Sequence, residues 1–258
     1  MLTLYDNPFS PFARKVRLAL DHKGLAFESI DALAIEQHET LLAANPRAEV
    51  PVLVDDDLTV SNSSDIVAYL EDGYPDPSVF PERPKPRAAA RAWERLSDTV
   101  LDAIIHDISI WSWPTHRRKD HPPQGLIEAG RRDLWRILGK IENALDGSSF
   151  LCGGLSIADL AIFPHLSSLK ALGILFDPSR HPGLCGWNRR MRALGIVRRD
   201  LEYVKRLALE KFVEAPSPYE GEKIAWRGDR IEWLLRNGFQ EWWLEEQTAG
   251  RAVVPASI

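Results

Sequence analysis

Two short segments near the start of the chain carry the residue types for binding and activating an anion. The first is Phe9-Ser10-Pro11-Phe12. Ser is a favoured helix N-cap, and Pro at the first helical position costs nothing, because that amide has no intrahelical partner. A hydroxyl beside free helix-terminal amides favours an anion such as a thiolate. Ser10 is open to two readings, a plain cap or a thiolate contact. A nucleophilic cysteine is absent from this position, so a mixed disulfide cannot form here and thiol–disulfide exchange is disfavoured. The second segment is Val50-Pro51, where a proline that cannot donate to a sheet ladder stands at the start of an apolar run. A third segment, Asn62-Ser63, precedes an apolar-periodic stretch, with Ser63 read as its cap.

The elements that must position these residues follow from periodicity. Residues 2–5 and 26–30 read as strands. Phe12, Val16 and Leu20 recur at helical spacing up to Gly24, a C-cap residue. A weak helical pattern at 36–44 contains Gln37 and His38 and stops at Asn45-Pro46. Residues 50–54 and 58–60, joined by an acidic turn, read as a hairpin, and a helix follows from Ser63 to Gly73. Prolines 75, 77, 81, 84 and 86 then mark a stiff linker. Helices are expected near 87–110, 124–146, 156–172, 186–194, 198–214 and 228–248. The resulting division is an α/β domain at 1–78, a linker at 79–87, an all-helical domain at 88–200 and a helical extension at 201–258.

Bulk properties narrow the function classes. The chain has 258 residues, a formal net charge of -5 and 45% apolar residues. The mild acidity argues against nucleic-acid partners, and the Arg117-Arg118-Lys119 run reads as a solvated loop. Two distant cysteines, Cys152 and Cys185, make neither a metal spacing nor a disulfide framework, so no metal site is expected. The N-terminus lacks a signal-peptide pattern, and no stretch approaches the roughly 18 apolar residues of a membrane span. A soluble cytoplasmic protein is the expectation.

Four patterns in order carry a family resemblance: Phe9-Ser10-Pro11-Phe12-Ala13-Arg14-Lys15-Val16-Arg17, Asn45-Pro46-Arg47-Ala48-Glu49-Val50-Pro51-Val52-Leu53, Asn62-Ser63-Ser64-Asp65-Ile66-Val67-Ala68-Tyr69-Leu70-Glu71 and Gly154-Leu155-Ser156-Ile157-Ala158-Asp159-Leu160. Across about residues 1–200 the chain resembles the cytosolic glutathione transferase superfamily, most closely the bacterial and omega-type members with a Ser-Pro-Phe frame. The resemblance implies a thioredoxin-like α/β N-terminal domain, an all-α C-terminal domain and a two-fold homodimer. It also implies glutathione as co-substrate and a hydrophobic small-molecule electrophile as acceptor, with no nucleic-acid or membrane partner. Ser10 would then stabilise the glutathione thiolate. Phe12, Val50 and Pro51, the latter as a cis-proline, would surround the cysteinyl part, Asn62 and Ser63 the γ-glutamyl part, and Gln37 and His38 the glycine carboxylate. Gln37 and His38 also fit as exposed helix polars.

The family usually has Glu where this chain has Asn62. The lost carboxylate is expected to be replaced by Asp65, or by Asp98 or Asp102 of a second copy. Phe9, His106, Trp111 and Trp113 would form the electrophile pocket, with packing as the alternative for the tryptophans. Ser156 and Asp159 read as a structural capping box. The extension either packs on the helical domain or caps the pocket. Narrow-substrate ether cleavage or dehalogenation, and a non-catalytic binding module, are the competing functions.

Overall fold

The structure is a computed structural model that describes residues 1–32, 34, 37–112, 121–212 and 224–254. The first unit runs β1 (Leu2–Asp6), α1 (Pro11–Lys23), β2 (Phe27–Asp31), α2 (His38–Ala44), β3 (Val52–Asp55), β4 (Leu58–Ser61) and α3 (Ser63–Gly73). Its sheet has the order β2-β1-β3-β4, with β1 parallel to β2 and antiparallel to β3. This is the expected thioredoxin-like arrangement. Strand side chains alternate between faces. Leu4 and Leu53, which pair across the ladder, join the core of α1 and α3. Tyr5 and Val52, one residue on, turn to the other face and meet Leu41 of α2.

The register places four loops at one edge of the sheet. Asp6 ends β1 beside Asp31, the end of β2. Tyr5 pairs with Val52 at the start of β3, and Val52 pairs with Ser61 at the end of β4. The segments holding Ser10, Gln37, Val50 and Asn62 therefore all leave from the same edge.

Helix α4 (Pro84–Leu96) starts within the proline-rich segment, where Pro84 fits the first turn. It continues through a π-helical stretch, Ser97–Leu101, into α5 (Asp102–Ser109). Then come α6 (Leu126–Ala144), α7 (Ile157–Ser168), α8 (Pro182–Ala193) and α9 (Gly195–Phe212). Helix α8 begins at Pro182, ahead of the expected 186, for the same reason. The single helix expected at 228–248 is two, α10 (Gly228–Arg236) and α11 (Gln240–Thr248), because Gly238 takes a left-handed φ of 83° between them. Short strands β5 (Ile224–Ala225) and β6 (Ala252–Val253) pair in parallel on either side of α10 and α11. No helix of the described residues is long and apolar enough to cross a membrane.

One hydrophobic cluster runs from Leu4 and Leu20 of the sheet unit to Phe163, Trp187 and Trp226 of the helical part. Helix α1 is consequently enclosed on several sides, packing on α3, α7 and α9. The capping box holds as expected. The Ser156 N–H donates to Asp159 Oδ2 at 3.1 Å, and Asp159 Oδ1 accepts from Leu151 N and Trp187 Nε1.

Helices α5 and α6 approach closely at Gly130, where an added Cβ would overlap Ile108 Cγ2. Gly130→Ala is expected to cost about 1–3 kcal/mol by overpacking, despite the better helix propensity of Ala. Urea unfolding of that variant, and of Gly130→Ala combined with Ile108→Ala as the relieving partner, measures it.

Candidate active site

Ser10 caps α1 from extended backbone (φ −72°, ψ 120°), and Pro11 occupies the first helical position as expected. Its Oγ accepts from Ala13 N at 3.4 Å, the long limit of a hydrogen bond. The hydroxyl hydrogen is not used by that bond. No hydrogen bond among the described residues uses the Phe12 N–H, so the first turn of α1 presents a free amide beside the hydroxyl. Both are donors suited to an anion.

The Val50–Pro51 peptide bond is cis. Val50 lies outside the β3 ladder, and its N–H and C=O make no hydrogen bond within the described chain. It offers an extended ligand one donor and one acceptor.

At the start of α3 the structure corrects the sequence reading. The cap is Asn62, whose Oδ1 accepts from Ser64 N at 3.0 Å, and Ser63 is the first helical residue. Asn62 has a left-handed φ of 74°, which Asn tolerates better than most residues. Ser63 is buried and Asp65 is exposed in the first turn.

Asp98 and Asp102 are held within their own chain. Lys15 Nζ, buried, reaches Glu94 at 3.0 Å, Asp98 at 2.5 Å and Ser64 Oγ at 3.1 Å. Asp102 pairs with Arg230 of α10 at 2.9 Å. Asp65 makes no ion pair among the described residues.

Gln37 precedes α2, and its Oε1 accepts from Thr40 Oγ1 at 3.2 Å. The backbone of His38 opens α2. Trp113 and the Arg117-Arg118-Lys119 run lie outside the described residues.

Aromatic and basic residues of α7 and the extension surround the start of α1. Phe9 packs against Phe212 at 5.1 Å between ring centroids. Phe12 meets the His165 ring edge-on at 6.0 Å and carries the Arg227 guanidinium over its face at 4.6 Å. His106 contacts Trp226 edge-on, Trp226 contacts Trp242, and Trp242 contacts Trp111. Burial, with the nearby Arg230 and Arg227 charges, holds the His106 pKa well below its ordinary value. Burial pushes Asp107, 2.9 Å from His106 Nδ1, well above the usual carboxylate range. A neutral buried imidazole of this kind is poorly placed for open-site proton transfer. The extension packs on α5 and touches the first turn of α1 through Arg227.

Sequence patterns did not reveal Arg227, His165 or the Lys15 cluster. Each acquires its neighbours from distant segments, and no local spacing signals them.

His165 links acidity to the fold here. Burial holds its pKa down to about 4, with Asp102 and Asp98 opposing and Arg14 and Lys15 assisting. The unfolded chain takes up a proton near pH 6.5 and the folded chain does not. Stability is therefore complete above that value and is lost as pH falls toward 4, by about 3 kcal/mol at the end of the window. Urea unfolding across pH 4–7 should show this slope, and His165→Asn should lack it.

A domain model described as glutathione S-transferase, N-terminal domain, matches residues 4–78, and one described as glutathione S-transferase, C-terminal domain, matches residues 124–190. A probable glutathione S-transferase from rice, GSTU6, is 30% identical over 196 residues, covering 71% of this chain and 81% of its own length. Protein LigF of Sphingobium is 28% identical over 250 residues, covering 81% of this chain and 97% of the relative. Its crystal structure, described as a beta-etherase, superposes with a TM-score of 0.69 at 26% identity, covering 78% of this chain and 99% of that one. A glutathione S-transferase structure from Rhodospirillum rubrum gives a TM-score of 0.67 at 28% identity, covering 89% of this chain and 98% of that one. With these similarities added to the sheet order, the cis bond before Pro51 and the serine-capped α1, the chain belongs to the glutathione S-transferase family.

Proposed function

We infer that the protein transfers the glutathione thiolate to an apolar electrophile and that Ser10 stabilises the thiolate. The observation that carries this reading is the pair of uncommitted donors at the start of α1, the Ser10 hydroxyl and the Phe12 amide. A free thiol has a pKa near 8.5, and lowering it by about two units takes roughly 2.7 kcal/mol of differential stabilisation. One charge-assisted hydrogen bond plus a helix terminus supplies that amount. The free backbone groups of Val50 fit the cysteinyl segment of glutathione. The α3 N-terminus with Ser63 fits the γ-glutamyl carboxylate, Asp65 its ammonium, and Gln37 with His38 the glycine carboxylate. Phe9, His106, Trp111 and Trp113 belong with the acceptor side. In the reaction the sulfur forms a bond to the electrophilic carbon as the leaving group departs with its electron pair.

Calorimetry with glutathione and conjugation of 1-chloro-2,4-dinitrobenzene test the proposal. Micromolar-to-millimolar binding with measurable turnover supports it, and absence of glutathione binding removes it in favour of a non-catalytic module. Similarity to a beta-etherase over nearly that protein's full length favours a second reading, in which the thiolate displaces an aryloxide from an ether carbon. Release of a phenol from an aryl ether, compared with halide release, separates the two. A cytoplasmic two-fold dimer completes the proposal, and light scattering on the purified protein reads its mass.

A further inference from the structure

Arg227 stands apart from the other charges near the start of α10. Arg230 is paired with Asp102 at 2.9 Å, and Asp107 is held by His106. The Arg227 side chain makes no hydrogen bond or ion pair with any described residue, and its contact is the face of the Phe12 ring. It is only partly buried. Its backbone begins α10, next to Trp226, which is 1% exposed and fixed by its N–H to Val253 O at 2.7 Å. The side chain therefore projects from a firmly seated point.

A guanidinium stacked on a ring uses its π face, and its N–H donors lie in the plane and point away from that face. The contact with the Phe12 ring uses no acceptor, so the fork of guanidinium N–H donors stays available among the described residues. Such a fork matches a carboxylate in two parallel hydrogen bonds. Phe12 is two residues from Ser10 in the first turn of α1, so its contact brings Arg227 to the end of the helix that Ser10 caps. On the thiolate-transfer reading the glutathione segments lie along the sheet edge at Ser10, Val50 and α3, whereas Arg227 comes from the extension, whose helix α10 packs on α5. Phe9 and Phe212, both partly exposed, add apolar surface on the same lip.

We propose that Arg227 anchors a carboxylate on the acceptor, so that the site takes aromatic electrophiles bearing an acid group. This rests on the thiolate-transfer reading for the position of the acceptor. In the transfer, glutathione sulfur bonds to the ring carbon and chloride leaves with its electron pair, while the carboxylate stays unchanged on Arg227.

The test uses two acceptors of nearly the same shape, 4-chloro-3-nitrobenzoate and 4-chloro-3-nitrobenzamide, with the full chain. Arg227→Ala should raise KM for the benzoate about tenfold or more and that for the amide less than twofold, with KM for glutathione unmoved. Arg227→Lys should restore part of the preference through charge without the planar fork. A second arm is independent of turnover: quenching of tryptophan fluorescence by 3-nitrobenzoate against 3-nitrobenzamide. Tighter benzoate binding that collapses in Arg227→Ala supports the anchor even if no acceptor is turned over, in which case only the transfer reading falls. Equal binding of acid and amide by the wild-type protein overturns the anchor. So does an equal drop in kcat for both acceptors, or a rise in glutathione KM. Arg227→Lys supplies the comparison should the alanine variant fail to fold.

Discussion

Ser10→Ala is expected to lower kcat/KM for aryl-halide conjugation about 10- to 100-fold, the range of one hydrogen bond to a charged group. The same substitution should raise the pKa of bound glutathione by about one to two units. Two readouts check this. The acidic limb of the pH profile of kcat/KM should move upward, and thiolate absorbance near 240 nm should fall at neutral pH. Stability should change little. The capping bond to Ala13 N is 3.4 Å long, so its loss costs no more than the low end of the cap range, about 0.5 kcal/mol. A large catalytic loss with a small stability loss is the signature of a hydroxyl whose hydrogen serves the ligand. An unchanged pH profile would leave Ser10 as a cap only and transfer the anion-binding role to the Phe12 amide and the helix terminus.

The largest effect on stability is expected at Asp200. This fully buried carboxylate of α9 receives Arg14 at 2.7 Å and Arg17 at 2.6 Å. Arg17 also pairs with Asp6 at the end of β1, and Arg14 donates to Pro164 O and Ser167 Oγ on α7. The network thus ties the helix that carries Ser10 to β1, α7 and α9. Removing one partner leaves buried charge uncompensated, and Asp200→Ala is expected to cost about 3–5 kcal/mol. Urea unfolding measures it. Asp200→Asn keeps some of the hydrogen bonding and should lose less. An Asp200→Ala variant as stable as the native protein would mean that water reaches the two arginines and that α9 does not hold α1 in place. Activity should fall with Asp200→Ala at temperatures below unfolding, because α1 sets where the Ser10 hydroxyl points.

The same helix shows where sequence reasoning reaches and where it stops. Ser10, Pro11 and Gly24 announce the two ends of α1, because capping is a local matter of backbone geometry. The hairpin after Pro51 and the alternation of Leu4, Tyr5, Val52 and Leu53 are equally local, since adjacent strand residues must face opposite sides. The motif at 62–63 located the second helix terminus and missed its cap by one residue. Asn and Ser both cap well, so the pattern alone does not choose between them. The break at Asn237-Gly238 is not legible in the sequence because the apolar stripe continues on both sides of it.

Arg14, Lys15 and Arg17 read locally as the wet face of an amphipathic helix, yet all three are buried. Their partners come from α4, α7 and α9, as far as Asp200. Charge pairing across such separations leaves no periodicity to detect. Asp98 and Asp102 likewise looked free for a second copy until Lys15 and Arg230 were seen to hold them. Arg227 is the same case with the opposite outcome, a charge that the fold brings to the end of α1 and leaves without a carboxylate among the described residues.

By itself the sequence determined the two-part architecture, the serine-capped helix and the family, because these rest on local backbone preferences and motifs in order. The tertiary structure decided which charges are consumed and which remain for a ligand, because that depends on burial and on distances between segments far apart in the chain.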